Sequence, residues 1–347
     1  MAYRKIMYSN CFKTYFFRKV LVLNVFLTFV IVLLHSQPLN RIGINNESDF
    51  LFVHGVGIFA QLGVPMFFFI SSLLFYKELN MNDIVKKLRR RCKTLLVPYL
   101  LWNIFFVAIH WILTHVSAIS SMMNMPAVPS DFCGLSLSVI DSKYTPLWFV
   151  KNLMIYCCMS PILLLLLRNK FLYSVCVLGS IAYNDLVEVR YESLWHWMPI
   201  YMIGAFIGYY GLYKITPPRN VRKALTICSI VLFLILYTLA FNDNKLLLPY
   251  RIITPLLIWV CYDCTMETWT IEQIKEKQWM HSTFFIYCTH FFIINIFQKL
   301  LFKVLPHSHI FINVMQVVTP IVVFVVLAYI ATKMQKCKVY KVMAGGR

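Results

Sequence analysis

The chain has 347 residues, of which 60% are hydrophobic, 16% aromatic and only 14% charged, and its mean hydropathy is +0.68. That balance excludes a soluble globular domain and points to an all-α fold, a polytopic membrane helical bundle occupying 1–347 as a single domain. The formal charge of +19 raises nucleic-acid binding as an alternative, which the placement of the charges then argues against.

Hydropathy predicts about ten spans, at 15–35, 56–76, 94–116, 146–167, 171–187, 194–213, 224–241, 247–263, 282–303 and 309–332. A transmembrane β-barrel would need short alternating segments; these runs are continuous. When the intervening loops are assigned alternately to the two sides, about 25 basic residues fall on the side of the amino terminus. The other side holds Arg41, Lys143, Arg190, Lys245, Lys299 and Lys303. The positive-inside rule then predicts an inner-membrane, multi-pass protein with both termini cytoplasmic. The charge is topological, and no nucleic-acid partner is expected. No small-residue cleavage site follows the first apolar run, so that run is read as a retained span.

The first span runs from Tyr15, with Arg18 and Lys19 expected to snorkel to the headgroups, and ends Val30 to Ser36 as VIVLLHS. Asn24 and His35 stand eleven residues apart in it, roughly 16 Å along a helix. A polar pair inside a span is costly and marks function more often than on a soluble helix, although His35 also fits a headgroup-level position. The second span carries GVPMFFFISS, Gly63 to Ser72, with Pro65 freeing backbone carbonyls and Ser71 and Ser72 placing hydroxyls in the membrane. KKLRRRCKTLLVPY, Lys86 to Tyr99, then runs a basic cluster into the third span. It suits anionic lipid headgroups or, more specifically, a phosphate-bearing nucleotide held by Arg89, Arg90, Arg91 and Lys93.

A polar loop from His115 to Thr145 is long enough to cover a site. PLWFVKNLMIYCCMSP, Pro146 to Pro161, places Lys151 and Asn152 about one turn into the next span, and Arg251 lies a few residues into the eighth. His290 sits in FFIYCTHFF, Phe284 to Phe292, and must face protein or water rather than lipid. Of the eleven cysteines most lie in apolar runs, and the Cys261 and Cys264 pair lacks a second pair or a histidine for zinc. The carboxy-terminal tail reads as a basic stub.

With His35, Lys151, Asn152, His196 and Arg251 towards one end and Arg89 to Lys93 at the other, the bundle has the layout of a protein that moves a group, or a whole molecule, between leaflets. A transporter or flippase of a lipid-linked glycan fits these residues as well as an enzyme does. In order, however, the VIVLLHS, GVPMFFFISS, KTLLVPYLLW, PLWFV, IGAFIG (Ile203 to Gly208) and FFIYCTH motifs resemble acyltransferase family 3 of integral membrane proteins. That group comprises bacterial O-acetyltransferases of surface polysaccharides.

The resemblance implies transfer of an acyl group, usually acetyl, from cytoplasmic acetyl-CoA to a hydroxyl of a surface glycan or lipid-linked oligosaccharide, among membrane lipid and without a metal. It makes His35 the first-span histidine and general base, and the basic run Arg89, Arg90, Arg91 and Lys93, with Ser71, the donor site. Lys151, Arg251 and His290 complete the expected catalytic set, with Ser71 or Asn152 as further oxyanion donors. Two positions depart from the pattern: Asn24 stands where the family commonly has arginine, and Ser72 where glycine is usual. Assembly into a homo-oligomer is left open.

Overall fold

The computed structural model describes residues 2–36, 47–115, 129, 131–143, 146–304 and 309–346. Among the described residues the chain forms helices and turns and no strand. Helix α1 is Ala2–His35; α2, Glu47–Ala60, and α3, Gly63–Tyr76, make one apolar passage interrupted at Gln61 and Leu62. Pro65 falls in the first turn of α3, where a missing N–H leaves no bond unmade, so the break precedes it and the helix beyond runs on. Next come α4, Ile84–Arg91, a π-turn at Cys92–Leu96, and α5, Val97–His115. The π-turn sits just ahead of Pro98, which has no N–H to give the carbonyl of Thr94.

Of the loop expected over 115–145, residues 116–128, 130, 144 and 145 lie outside the described residues. Within the rest is a short helix, α6, Phe132–Ile140, capped by the Asp131 carboxylate, which accepts from Gly134 N at 2.7 Å. Helices α7, Trp148–Cys158, and α8, Ser160–Leu167, are bent by 58° where Pro161 enters. They are followed by α9, Lys170–Val187, α10, Leu194–Tyr209, α11, Arg219–Asn242, and α12, Leu247–Thr265. A short α13, Glu267–Glu272, leads to α14, Thr283–Val304, α15, His309–Met334, and α16, Lys338–Met343.

Among the described residues seven helical stretches are long and apolar enough to cross a membrane, or eight if the bent α7–α8 pair is one span. Helices α9 and α10, expected as spans, are not among them. Helix α10 has 16 residues, about 24 Å at 1.5 Å per residue, short of a ~30 Å hydrocarbon core. The helical membrane class therefore stands, while the count of ten goes beyond what these lengths establish. Helices α11 and α15 turn Ile230, Val231, Leu234, Val322 and Val325 outward, as lipid-facing helices do.

The tightest contact in the bundle is α10 against α3. A methyl group at Gly204 would lie 2.1 Å from Ser72 Oγ and 2.5 Å from the Phe69 carbonyl, and one at Gly208 would lie 2.4 Å from the Leu73 carbonyl. The GAFIG run of α10 is thus a small-xxx-small face that lets two backbones touch. It explains why the sequence needs glycine at both positions.

At the end of the bundle that carries Arg89 to Lys93, the arginine end, the structure departs from the expected snorkelling. Lys19 turns inward, its Nζ 2.7 Å from Asp263 Oδ1, 3.0 Å from the Trp259 carbonyl and 3.3 Å from the Trp259 ring centre. Tyr15 donates to the same carboxylate. A buried carboxylate on α12 draws the ammonium in, because either charge alone in the core would be far costlier. Arg18 is half-buried and donates to Ile271 O at 2.7 Å. The tail is likewise more than a stub: Tyr340 is buried, its hydroxyl 3.2 Å from Ser282 Oγ, and Trp102 Nε1 donates to Met343 O at 3.0 Å.

Replacing Gly204 by alanine should lower the apparent stability by about 1–3 kcal/mol, read as a drop in melting temperature of the detergent-purified chain; an unchanged melt would mean that α3 and α10 separate freely. Asp263→Ala, which strands the Lys19 ammonium, should cost about 3–5 kcal/mol in the same assay.

Candidate active site

His35 is the last residue of α1, and its neighbour Ser36 is tied to α14: Gln298, buried, donates from Nε2 to Ser36 O at 2.6 Å. Packing of α1 along α14 brings the His35 and His290 rings to 5.2 Å between centres, tilted by 48°, with Phe291 edge-on to His35 at 5.2 Å. The two sequence-predicted histidines therefore form one pair. His290 is fully buried. Its Nδ1 lies 2.7 Å from Tyr287 O and 3.2 Å from Ile286 O. Carbonyls only accept, so Nδ1 carries the hydrogen and Nε2 of the neutral ring is a bare lone pair. That Nε2 is buried with no hydrogen-bond partner among the described residues. His35 is half-buried and so the less enclosed residue of the two.

A cavity of about 90 Å³ leads from the arginine end towards this pair. Asn24 and Thr28 of α1, Ser71 of α3, Arg91 of α4, Phe149 of α7 and Tyr287 of α14 contribute to its wall. Arg91, half-buried, reaches the Ser71 carbonyl with Nη2 at 3.4 Å and lies 5.8 Å from the Phe75 ring centre. Arg89, Arg90 and Lys93 are exposed at the same end and do not line the cavity. Lys87 serves the backbone instead, its Nζ donating to Phe75 O at 2.8 Å and Lys77 O at 2.7 Å and so closing the last turn of α3. The cavity stops at Tyr287, one helical turn short of His290.

The PLWFV segment forms the partition. Tyr287 donates through its hydroxyl to Pro146 O at 2.6 Å, and its ring lies 5.9 Å from that of Phe149. Phe149 and Val150 line the cavity at the arginine end, whereas Trp148, one residue earlier, lines a second cavity of about 560 Å³ at the opposite, loop end. Successive residues at the start of α7 thus serve two cavities.

The hydrogen bonds and ion pairs of Lys151 and Arg251 are made with residues other than the histidine pair. Lys151 is partly exposed and pairs with Asp141 at 3.2 Å, on the loop side of the partition. Arg251 is buried, donating from Nη1 to His196 Nε2 at 3.1 Å and from Nη2 to Gln61 Oε1 at 2.9 Å, with its guanidinium 4.7 Å above the Tyr191 ring. Gln61 is available to it because the chain breaks there between α2 and α3. Asn152 is buried and donates to Glu192 O at 3.0 Å.

Comparison with known proteins gives this arrangement its class. A family model described as an acyltransferase domain matches residues 22–333, from the first span to the end of α15. The chain belongs to that acyltransferase family. A succinoglycan biosynthesis protein, ExoH of Rhizobium meliloti (strain 1021), is 30% identical over 130 residues. That stretch is 36% of this chain and 35% of ExoH, so the likeness spans about a third of the relative's length. No solved structure matches.

Sequence reasoning about this acyltransferase missed Tyr287, Gln61, Gln298 and Asp263. Asp263 was findable: a lone carboxylate in an apolar span calls for a cation, and Lys19 was in a span as well. Tyr287 and Gln61 carried no such signal, because their importance comes from what stands opposite them.

Proposed function

We propose that this acyltransferase moves an acetyl group from acetyl-CoA, entering at the arginine end, to a hydroxyl of a surface polysaccharide or its lipid-linked precursor at the loop end. The observation that carries the reading is the partition: two cavities meet one five-residue segment from opposite ends, and the histidine pair stands one turn beyond the Tyr287 that braces it. The partial likeness to a succinoglycan biosynthesis protein supports a polysaccharide acceptor. The concentration of Lys and Arg at one end supports a bacterial cell-membrane location with both termini cytoplasmic.

A sugar hydroxyl is a weak nucleophile near neutral pH, and a neutral imidazole removes its proton as the C–O bond forms. We assign this role to His35, since it is the less enclosed residue of the pair, while His290 offers its Nε2 lone pair to the imidazolium that results. The alcohol oxygen attacks the thioester carbonyl, the oxyanion collapses, and the thiolate leaves and recovers the proton as the CoA thiol. The products are an acetyl ester and free CoA, so atoms balance without a metal. On the donor side Ser71 and Asn24 offer polar contacts to the thioester, and Arg91 meets a CoA phosphate, supplying the cation that position 24 lacks. Arg89, Arg90 and Lys93 add long-range attraction at the mouth. Lys151 and Arg251, on the loop side, act on the acceptor.

His35→Ala and His290→Ala should each lower transfer of radiolabelled acetyl to glycan by about 10²–10⁴-fold, with the protein still folded in the membrane; full activity in His35→Ala would remove it as the base. Saturating acetyl-CoA should raise the melting temperature of the purified protein, since a ligand that binds only the folded state stabilises it. Arg91→Ala should weaken that binding by about 1.5–3 kcal/mol and Arg89→Ala by much less. Absence of any shift in the wild type would reject acetyl-CoA as donor.

A further inference from the structure

The cavity at the loop end has a chemistry unlike that at the arginine end. Its wall is lined by Trp148, Asp141, Glu192, Lys143, Ser138 and Ser142. At about 560 Å³ it falls within the usual range for a small-molecule site, ~300–1,000 Å³. Each polar group is placed by local structure. Ser138 Oγ donates to Gly134 O at 2.8 Å within α6, which keeps its lone pairs available as acceptors. Asp141 is held near Lys151 at 3.2 Å, which fixes the carboxylate while most of its surface stays open. Trp148 is braced from behind, 6.1 Å from the Trp197 ring and edge-on to Tyr191 at 5.4 Å.

Ser142 closes the wall through its backbone. It follows the C-cap Asp141 at φ 50°, the left-handed position of a helix C-terminus, with Lys143 N donating to Ser138 O at 3.2 Å, and its buried hydroxyl lies beside the Tyr99 phenol. That turn sets Asp141 at the cavity wall, where it and Glu192 are exposed.

We propose that this cavity is a saccharide subsite, in which a sugar ring lies against Trp148 and its hydroxyls donate to Asp141 and Glu192. A pyranose has just this duality, with apolar C–H faces and a rim of donors and acceptors. An aromatic wall with fixed carboxylates meets both, the charged acceptors making the stronger bonds. A sugar held here lies across the partition from the thioester, with Trp148 on its side and Phe149 on the other. The inference rests on the reading of the loop end as the acceptor side.

The test uses the full-length purified acyltransferase and oligosaccharides released from the producing cells' own surface polysaccharide, stripped of esters by alkali. Their binding is followed by quenching of tryptophan fluorescence and by isothermal titration, and their turnover at saturating acetyl-CoA. Trp148→Ala and Glu192→Gln should weaken oligosaccharide binding and raise the acceptor KM tenfold or more, with acetyl-CoA affinity unchanged. Oligosaccharide binding that is absent from the wild type, or that survives Trp148→Ala and Glu192→Gln intact, overturns the subsite. Because Trp148→Ala disturbs packing against Trp197, the exposed carboxylates Asp141→Asn and Glu192→Gln decide the matter if it fails to fold. Trp148-dependent binding without any acetyl transfer would keep the subsite and reject the reaction proposed above.

Discussion

Backbone-to-backbone contact between α3 and α10 is the constraint on which the rest of the bundle depends. Inside lipid there is no hydrophobic force to press two helices together, so close approach must come from packing itself. Gly204 and Gly208 supply it by removing every side-chain atom between α10 and the carbonyls of Phe69 and Leu73. Helix α3 is thereby fixed in position, and α3 presents Ser71 to the cavity at the arginine end. Ser72 fits there because Gly204 has no side chain: its hydroxyl donates to Phe69 O at 2.9 Å and fills the space that a Cβ at 204 would take.

The cations of the bundle divide their work. Lys19 is neutralised by Asp263, Lys87 completes the end of α3, and Arg251 is spread over Gln61, His196 and the Tyr191 ring. Among the described residues no carboxylate lies within ion-pair distance of Arg251, so its charge is met by dipoles and an aromatic face. Arg91 alone of the basic run 89–93 enters the cavity wall. Charge in this protein is therefore placed by local satisfaction first, and one arginine is left facing the cavity at that end.

Much of the architecture is legible in the chain. The apolar runs fix a helical membrane bundle because a bilayer admits little else, and the ordered motifs identify the family that the match over 22–333 then confirms. His35 and His290 stand out from sequence because an imidazole in an apolar span is costly and must face protein. What only the tertiary structure decided is which polar groups meet. Residues 35 and 290 are remote in sequence, and their rings pair because α1 packs along α14. Lys151 and Arg251 look like equal partners of that pair in one dimension, yet α7 and α12 pair them instead with Asp141 and with His196 and Gln61. The split of Trp148 from Phe149 is likewise invisible in PLWFV, since a helix turns adjacent residues by about 100° and only the neighbours decide what each one faces. Composition set the solvent and the class; side-chain encounters, which depend on how helices cross, set the site.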